Sequence, residues 1–111
     1  MDIKNSPAKY AATCGLDTVD LDKIRQSIAL LMNSGVDYEF RTTVVSEFHE
    51  SSDFEAIAPM IAGARRYFLQ CFTDRDSVPF GDLHAPSAED LRHYADIVRP
   101  FVPETHLRGV N

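Results

Sequence analysis

A chain of 111 residues, 44% hydrophobic and 25% charged, is long enough for one folded domain with a real core and short for a complete α/β enzyme barrel. Its net charge of −6 argues against a nucleic-acid or anionic-membrane surface, which needs clustered Lys and Arg. No apolar run approaches the ~20 residues of a membrane span, and no basic-then-apolar signal pattern opens the chain.

Met1 to Lys4 alternates apolar and polar residues, as the last residues of a strand do, and puts Asp2 and Lys4 on one face. Asn5-Ser6-Pro7 then makes a turn, with Ser6 as cap and Pro7 at the first position of a short helix, Ala8 to Thr13, closed by Gly15. Asp20 caps the next helix. Leu21, Ile24, Ile28 and Leu31 recur there at spacings of three and four, which predicts a buried stripe, and Gly35 lies just past the end.

Asp37 to Val45, filled with aromatic and β-branched residues, reads as the central strand. Alternation sends Tyr38, Phe40, Thr42 and Val44 to one face and Glu39, Arg41, Thr43 and Val45 to the other. If helices cover the first face, the second carries a Glu-Arg-Thr row. Such a row meets water or lines a polar cavity, because a buried charge without a partner is too costly to keep.

Ser46 to Ser52 is a polar loop, and Ser51 or Ser52 can cap a helix running to about Ala62 with Phe54, Ile57 and Ile61 inward. Pro59 inside that helix costs roughly 3 kcal/mol, so a kink or an early end is expected. Gly63 terminates the element, and Arg65 to Phe72 reads as another strand. Thr73 to Pro86 is a long loop, of the kind that is functional or mobile in compact domains. Ser87-Ala88-Glu89-Asp90 resembles a capping box and opens a helix that buries Leu91, Tyr94, Ala95 and Val98 and stops before Pro100. Thr105 to Val110 is a final short strand. The alternation predicts a single α/β domain over 1–111: about four mostly parallel strands with three main helices on the outer face.

Asp2 and Lys4 stand at the C-terminal end of a strand, where parallel sheets place ligands, and equally fit a solvated chain terminus. Arg41, in mid-strand between Glu39 and Thr43, can hold a carboxylate or phosphate in a bidentate fork, or pair with neighbours on an open sheet face. The four histidines, His49, His84, His93 and His106, are scattered, and none stands at a ligand spacing with another. Two cysteines, Cys14 and Cys71, are too few for a disulfide scaffold or an all-cysteine metal site and read as small buried hydrophobes. There is no Gly-rich phosphate loop. Spacing alone gives no catalytic constellation and no metal site, and a reduced cytoplasmic protein is the simplest reading.

Four segments, Met1 to Tyr10, Ser34 to Val45, Gly63 to Phe72 and Leu107 to Val110, together resemble the C-terminal half of the anaerobic ribonucleoside-triphosphate reductase activating proteins. These are radical S-adenosylmethionine (SAM) enzymes, similar to pyruvate formate-lyase activating enzyme. The resemblance implies a partial (β/α) barrel whose lumen holds a four-iron cluster and SAM. In the family the cluster cleaves SAM, and the adenosyl radical abstracts a hydrogen from a glycine of the partner enzyme. The family's Asp-x-Lys matches Asp2 and Lys4, facing the methionine end of SAM; Arg41 and Gln70 match lumen-facing positions of the next two strands. In pyruvate formate-lyase activating enzyme a histidine lies two residues beyond the second of these; Phe72 stands there in this chain.

The family's Cys-x-x-x-Cys-x-x-Cys cluster motif and its glycine- and glutamate-rich SAM motif do not occur in the sequence. The expectation is therefore a truncated gene product, one polypeptide of a split enzyme, or an excised domain, inactive alone because nothing ligates the iron. Its partners would be the N-terminal half or a glycyl radical enzyme, with a homodimer through an open sheet edge as a further expectation. The other function class is a small α/β interaction or binding module without catalysis.

Overall fold

A parallel sheet with helices packed on its buried face organises the chain in the computed structural model, which describes residues 1–73 and 84–109. After a 3-10 turn at Pro7–Lys9, the elements are α1 (Tyr10–Thr13), α2 (Leu21–Asn33), β1 (Phe40–Val44), α3 (Ser51–Met60), β2 (Tyr67–Cys71), α4 (Ala88–Val98) and β3 (Thr105–Arg108). The three strands lie in the order β1-β2-β3, all parallel, with Phe40 beside Tyr67 and Tyr67 beside Thr105. Helices α3 and α4 make the two crossovers. This is the α/β arrangement of a partial (β/α) barrel.

The expected fourth strand is reduced to a stub. Asp2 forms an isolated parallel bridge with Arg41, in which the Ile3 amide donates to the Arg41 carbonyl at 2.7 Å and the Arg41 amide to the Met1 carbonyl at 3.0 Å. The central strand starts at Phe40 instead of Asp37, because the residues before it are held elsewhere. The Asp37 carboxylate pairs with Arg65 and Arg66, and the Tyr38 hydroxyl accepts the Arg65 amide. The last strand ends at Arg108, and Gly109 turns away with φ +74°.

Face assignment follows the alternation. Phe40, Thr42 and Val44 are buried, Arg41 is half-buried and Thr43 exposed. In β2, Tyr67 and Leu69 join the core while Phe68 and Gln70 turn to the opposite face with Arg41 and Thr43. The core packs these strand residues against Phe54 and Ile57 of α3 and Leu91, Ala95 and Val98 of α4. Stacked rings of Phe54 and Tyr94, 4.5 Å apart, join the two helices.

Two helix details differ from expectation, and a third meets it. The α2 stripe is shallow: Ile28 is buried, but Leu21, Ile24 and Leu31 are only half-buried, and Leu30 is exposed. The cap of α3 is Glu50, not a serine, in a reciprocal capping box with Asp53. Asp53 also accepts from Ser6 and Lys9, so that carboxylate fixes where the helix begins. Pro59 falls one residue before the end of α3, where the amide it lacks belongs to the last turn; this is the early end that proline predicts. Most of the predicted loop between β2 and α4, residues 74–83, lies outside the described residues.

One buried polar chain crosses the core face of the sheet. Thr42 Oγ1 donates to the Ile3 carbonyl at 2.7 Å, so the buried Tyr67 hydroxyl must donate to Thr42. Thr42→Val keeps the shape but strands the carbonyl and the phenol. Each buried unsatisfied group costs about 1–3 kcal/mol, so with two such groups this variant is expected to lose about 2–6 kcal/mol in urea unfolding. Thr42→Ser, which retains the hydroxyl, should lose markedly less.

Candidate functional site

The C-terminal ends of the stub, β1 and β2 converge on a cavity of about 330 Å³. Asp2, Ile3 and Lys4 form one wall, Thr43 and Val45 the floor, Phe48 and His49 the turn beyond β1, and Thr13 and Phe72 complete the lining. Parallel sheets bind ligands at this end, outside the carboxyl edges of their strands.

Charge at the rim is concentrated on one carboxylate. Arg41 donates to Asp2 Oδ1 from Nε and Nη2, both at 3.0 Å, and Lys4 Nζ approaches Asp2 Oδ2 at 3.5 Å. The hydrogen bond from Arg41 holds the Asp2 carboxyl below its ordinary range against the opposing effect of burial, and the Lys4 charge adds to it. The Arg41 guanidinium is itself pushed up by the same bond. Asp2 and Lys4 are half-exposed and line the cavity, while Arg41 stands behind Asp2. The rim thus offers an acceptor for a cationic group and a donor for an anionic one, side by side.

The wall carrying Lys4 is fastened by buried polar groups. Asn5, fully buried, donates from Nδ2 to Thr13 Oγ1 at 3.0 Å and to the Phe48 carbonyl at 2.8 Å. Ser6 and Lys9 each donate to Asp53, both at 2.8 Å. Burial alone would raise the Asp53 carboxyl; the bonds from Lys9, Ser6 and the Glu50 amide outweigh it and leave the group lowered. His49 is also buried, with its Nε2 3.0 Å from the Lys4 carbonyl and its Nδ1 accepting the Val45 amide at 3.1 Å.

Further along the open sheet face, Arg108 lies 3.6 Å over the Phe68 ring and forks onto Glu39, with Nη1 to Oε2 at 2.8 Å and Nη2 to Oε1 at 3.3 Å. This pair bridges the sheet from the start of β1 to the end of β3. Gly109 is needed beside it because its φ of +74° strains any residue with a Cβ, and that Cβ would also stand 3.1 Å from Gln70 Nε2.

Of the four residues singled out from the sequence, Asp2, Lys4 and Arg41 therefore form one cluster. Gln70 shares their face of the sheet, in register with Thr43, but does not line the cavity. His49 was missed: its only sequence signal was a histidine in a polar loop, and nothing there shows that both nitrogens of its buried ring meet main chain. Cys14 is exposed at the end of α1; Cys71 ends β2, its thiol pushed up by burial. Among the described residues no group of three His, Cys, Asp or Glu is placed to hold a metal ion. A thiolate-ligated iron–sulfur cluster does not fit the chain's two cysteines, which stand on separate elements.

The fold is similar to a solved domain of pyruvate-formate lyase-activating enzyme from Bacteroides vulgatus, with a TM-score of 0.68 at 15% sequence identity. The match covers 97% of this chain and 65% of that one. At this identity the likeness is one of fold. No family model and no curated protein matches the sequence. No helix among the described residues is long and apolar enough to cross a membrane.

If the Arg41 bond is what lowers Asp2, then Arg41→Gln should let that carboxyl rise toward its ordinary value of about 3.8. A carbon-detected NMR titration of the Asp2 carboxyl checks this. An unchanged midpoint in the variant would assign the shift to Lys4 instead.

Proposed function

We propose that the cavity is a SAM pocket and that the chain supplies this part of a radical SAM activase of glycyl radical enzymes, in the anaerobic ribonucleotide reductase class. The observation that carries the reading is the Asp2–Lys4–Arg41 cluster on the rim of a cavity at the C-terminal strand ends. The fold shared with a domain of pyruvate-formate lyase-activating enzyme supports it, as does the order of the four resembling segments.

In this reading the Asp2 carboxylate accepts the ammonium of the methionine end, and Lys4 pairs with its carboxylate. Arg41 keeps Asp2 ionised and aimed. Val45, Phe48 and Phe72 give the apolar wall that excludes water from the rest of the molecule. SAM supplies the adenosyl group that carries the family's hydrogen abstraction. The cluster that would reduce it needs thiolates from another segment or polypeptide, so this chain by itself is expected to bind SAM without cleaving it.

Isothermal titration with SAM is the test. Lys4→Ala and Asp2→Asn should each weaken binding about tenfold, the worth of one charge-assisted bond at a half-exposed site. Arg41→Gln should weaken it less. Absence of heat with the native chain, together with unchanged cavity-residue NMR shifts, would overturn the reading.

A second reading, an interaction module, is favoured by the sheet edges. Among the described residues β3 pairs as a strand with β2 alone, and the stub with β1 alone. Unpaired edges template association. A homodimer through the stub edge would appear as a doubled mass in light scattering at high micromolar concentration and vanish with a proline at Asp2; a strict monomer would remove it.

A further inference from the structure

The turn beyond β1 and the segment bearing Lys4 hold each other by reciprocal bonds. The His49 ring reaches the Lys4 carbonyl, and the Asn5 side chain reaches the Phe48 carbonyl. With Nδ1 accepting the Val45 amide, the ring proton must sit on Nε2, where it donates to Lys4. A second proton would therefore arrive on Nδ1, facing the Val45 N–H. The acceptor nearest to it, the Val45 carbonyl at 3.3 Å, already takes the amides of Phe48 and His49. The protonated ring is thus left with an amide facing a new N–H.

We propose that His49 is a positioning residue for the cavity: neutral, it fixes Lys4 against the turn at the end of β1, and protonated, it lets these two walls part and weakens ligand binding. The charged groups near the ring do not reverse this. From the N-terminal segment Lys4, sharing the cavity lining with Asp2, and from the 3-10 turn Lys9, bring positive charge; from α3 come Asp53 and, at its cap, Glu50. Asp53 favours the protonated ring and Lys9 opposes it, but the two are bonded to each other at 2.8 Å. Burial dominates and pushes the imidazole down, so the neutral clamp persists to below the ordinary value of 6.5. Because the folded ring resists its proton, the chain also loses stability as the pH falls below that value, where the unfolded state binds the proton first.

The binding arm of the test rests on the SAM reading of the cavity; the structural arm does not. In the ¹⁵N-labelled native chain, the His49 ring nitrogens and the amides of Val45 and Asn5, the latter following the Lys4 carbonyl, are tracked from about pH 7.5 to about 4.5. The two amides should move with the ring at one midpoint below 6.5, and SAM affinity should fall about tenfold across it. His49→Gln, which has a donor and an acceptor but no charge, should bind SAM as the native chain does near neutrality and lose the pH dependence. A ring that titrates while both amides stay still overturns the clamp, as does a folded His49→Gln variant that keeps the acid loss. Should the glutamine variant fail to fold, the native amides decide. Amides that move together in a chain that binds no SAM support the clamp and overturn the assignment of the cavity.

Discussion

Attachment of the first six residues is the constraint on which the rest depends. Two main-chain hydrogen bonds to Arg41 are too little sheet to hold a strand stub, yet this stub carries both charged residues of the cavity wall. Side chains supply what the ladder lacks. Thr42 grips the Ile3 carbonyl from beneath, His49 the Lys4 carbonyl, and Asn5 ties itself to Thr13 and Phe48. The side chains that make them are buried, and a buried donor or acceptor without a partner costs more than a made bond contributes, so the loss of one bond is felt by the others.

Periodicity made the architecture legible. The inward residues of α3 and α4, and the opposite faces given to Phe40 and Arg41, follow from the 3.6 and 2.0 repeats alone. What it could not show is competition for ends. Asp37 leaves the strand because Arg65 and Arg66 lie beside it, and Glu50 takes the cap of α3 because Asp53 is shared with Ser6 and Lys9. These are partners 28 to 47 residues away in sequence, outside any local window. The shallow burial of α2 is of the same kind: its spacing specifies an apolar stripe but not how much protein lies over it.

The site divides similarly. Asp2 and Lys4 could be proposed from their place after a strand-like alternation, and Arg41 from its phase. The cavity could not, since Thr13, the Phe48–His49 turn and Phe72 enter it from three separate stretches. His49 illustrates the limit: a loop histidine reads as solvent-facing, and only the folded chain shows it trapped between two main-chain groups.

Exposure then separates two ion pairs that look alike on paper. Asp53 is almost fully buried where Lys9 meets it, whereas Asp2 and Arg41 are each about 40% exposed. A half-exposed pair is worth roughly 0–1 kcal/mol, while breaking a buried one leaves a charge without water or partner. Asp53 therefore cannot exchange its partners and acts as a fixed pin for α3 and the N-terminal turn. Asp2 can. Lys4 approaches it only at 3.5 Å, so a ligand ammonium could displace that contact at little cost while Arg41 continues to hold the other oxygen. The same weakness that makes this cluster a poor source of stability makes it the part of the chain best suited to trade one partner for another.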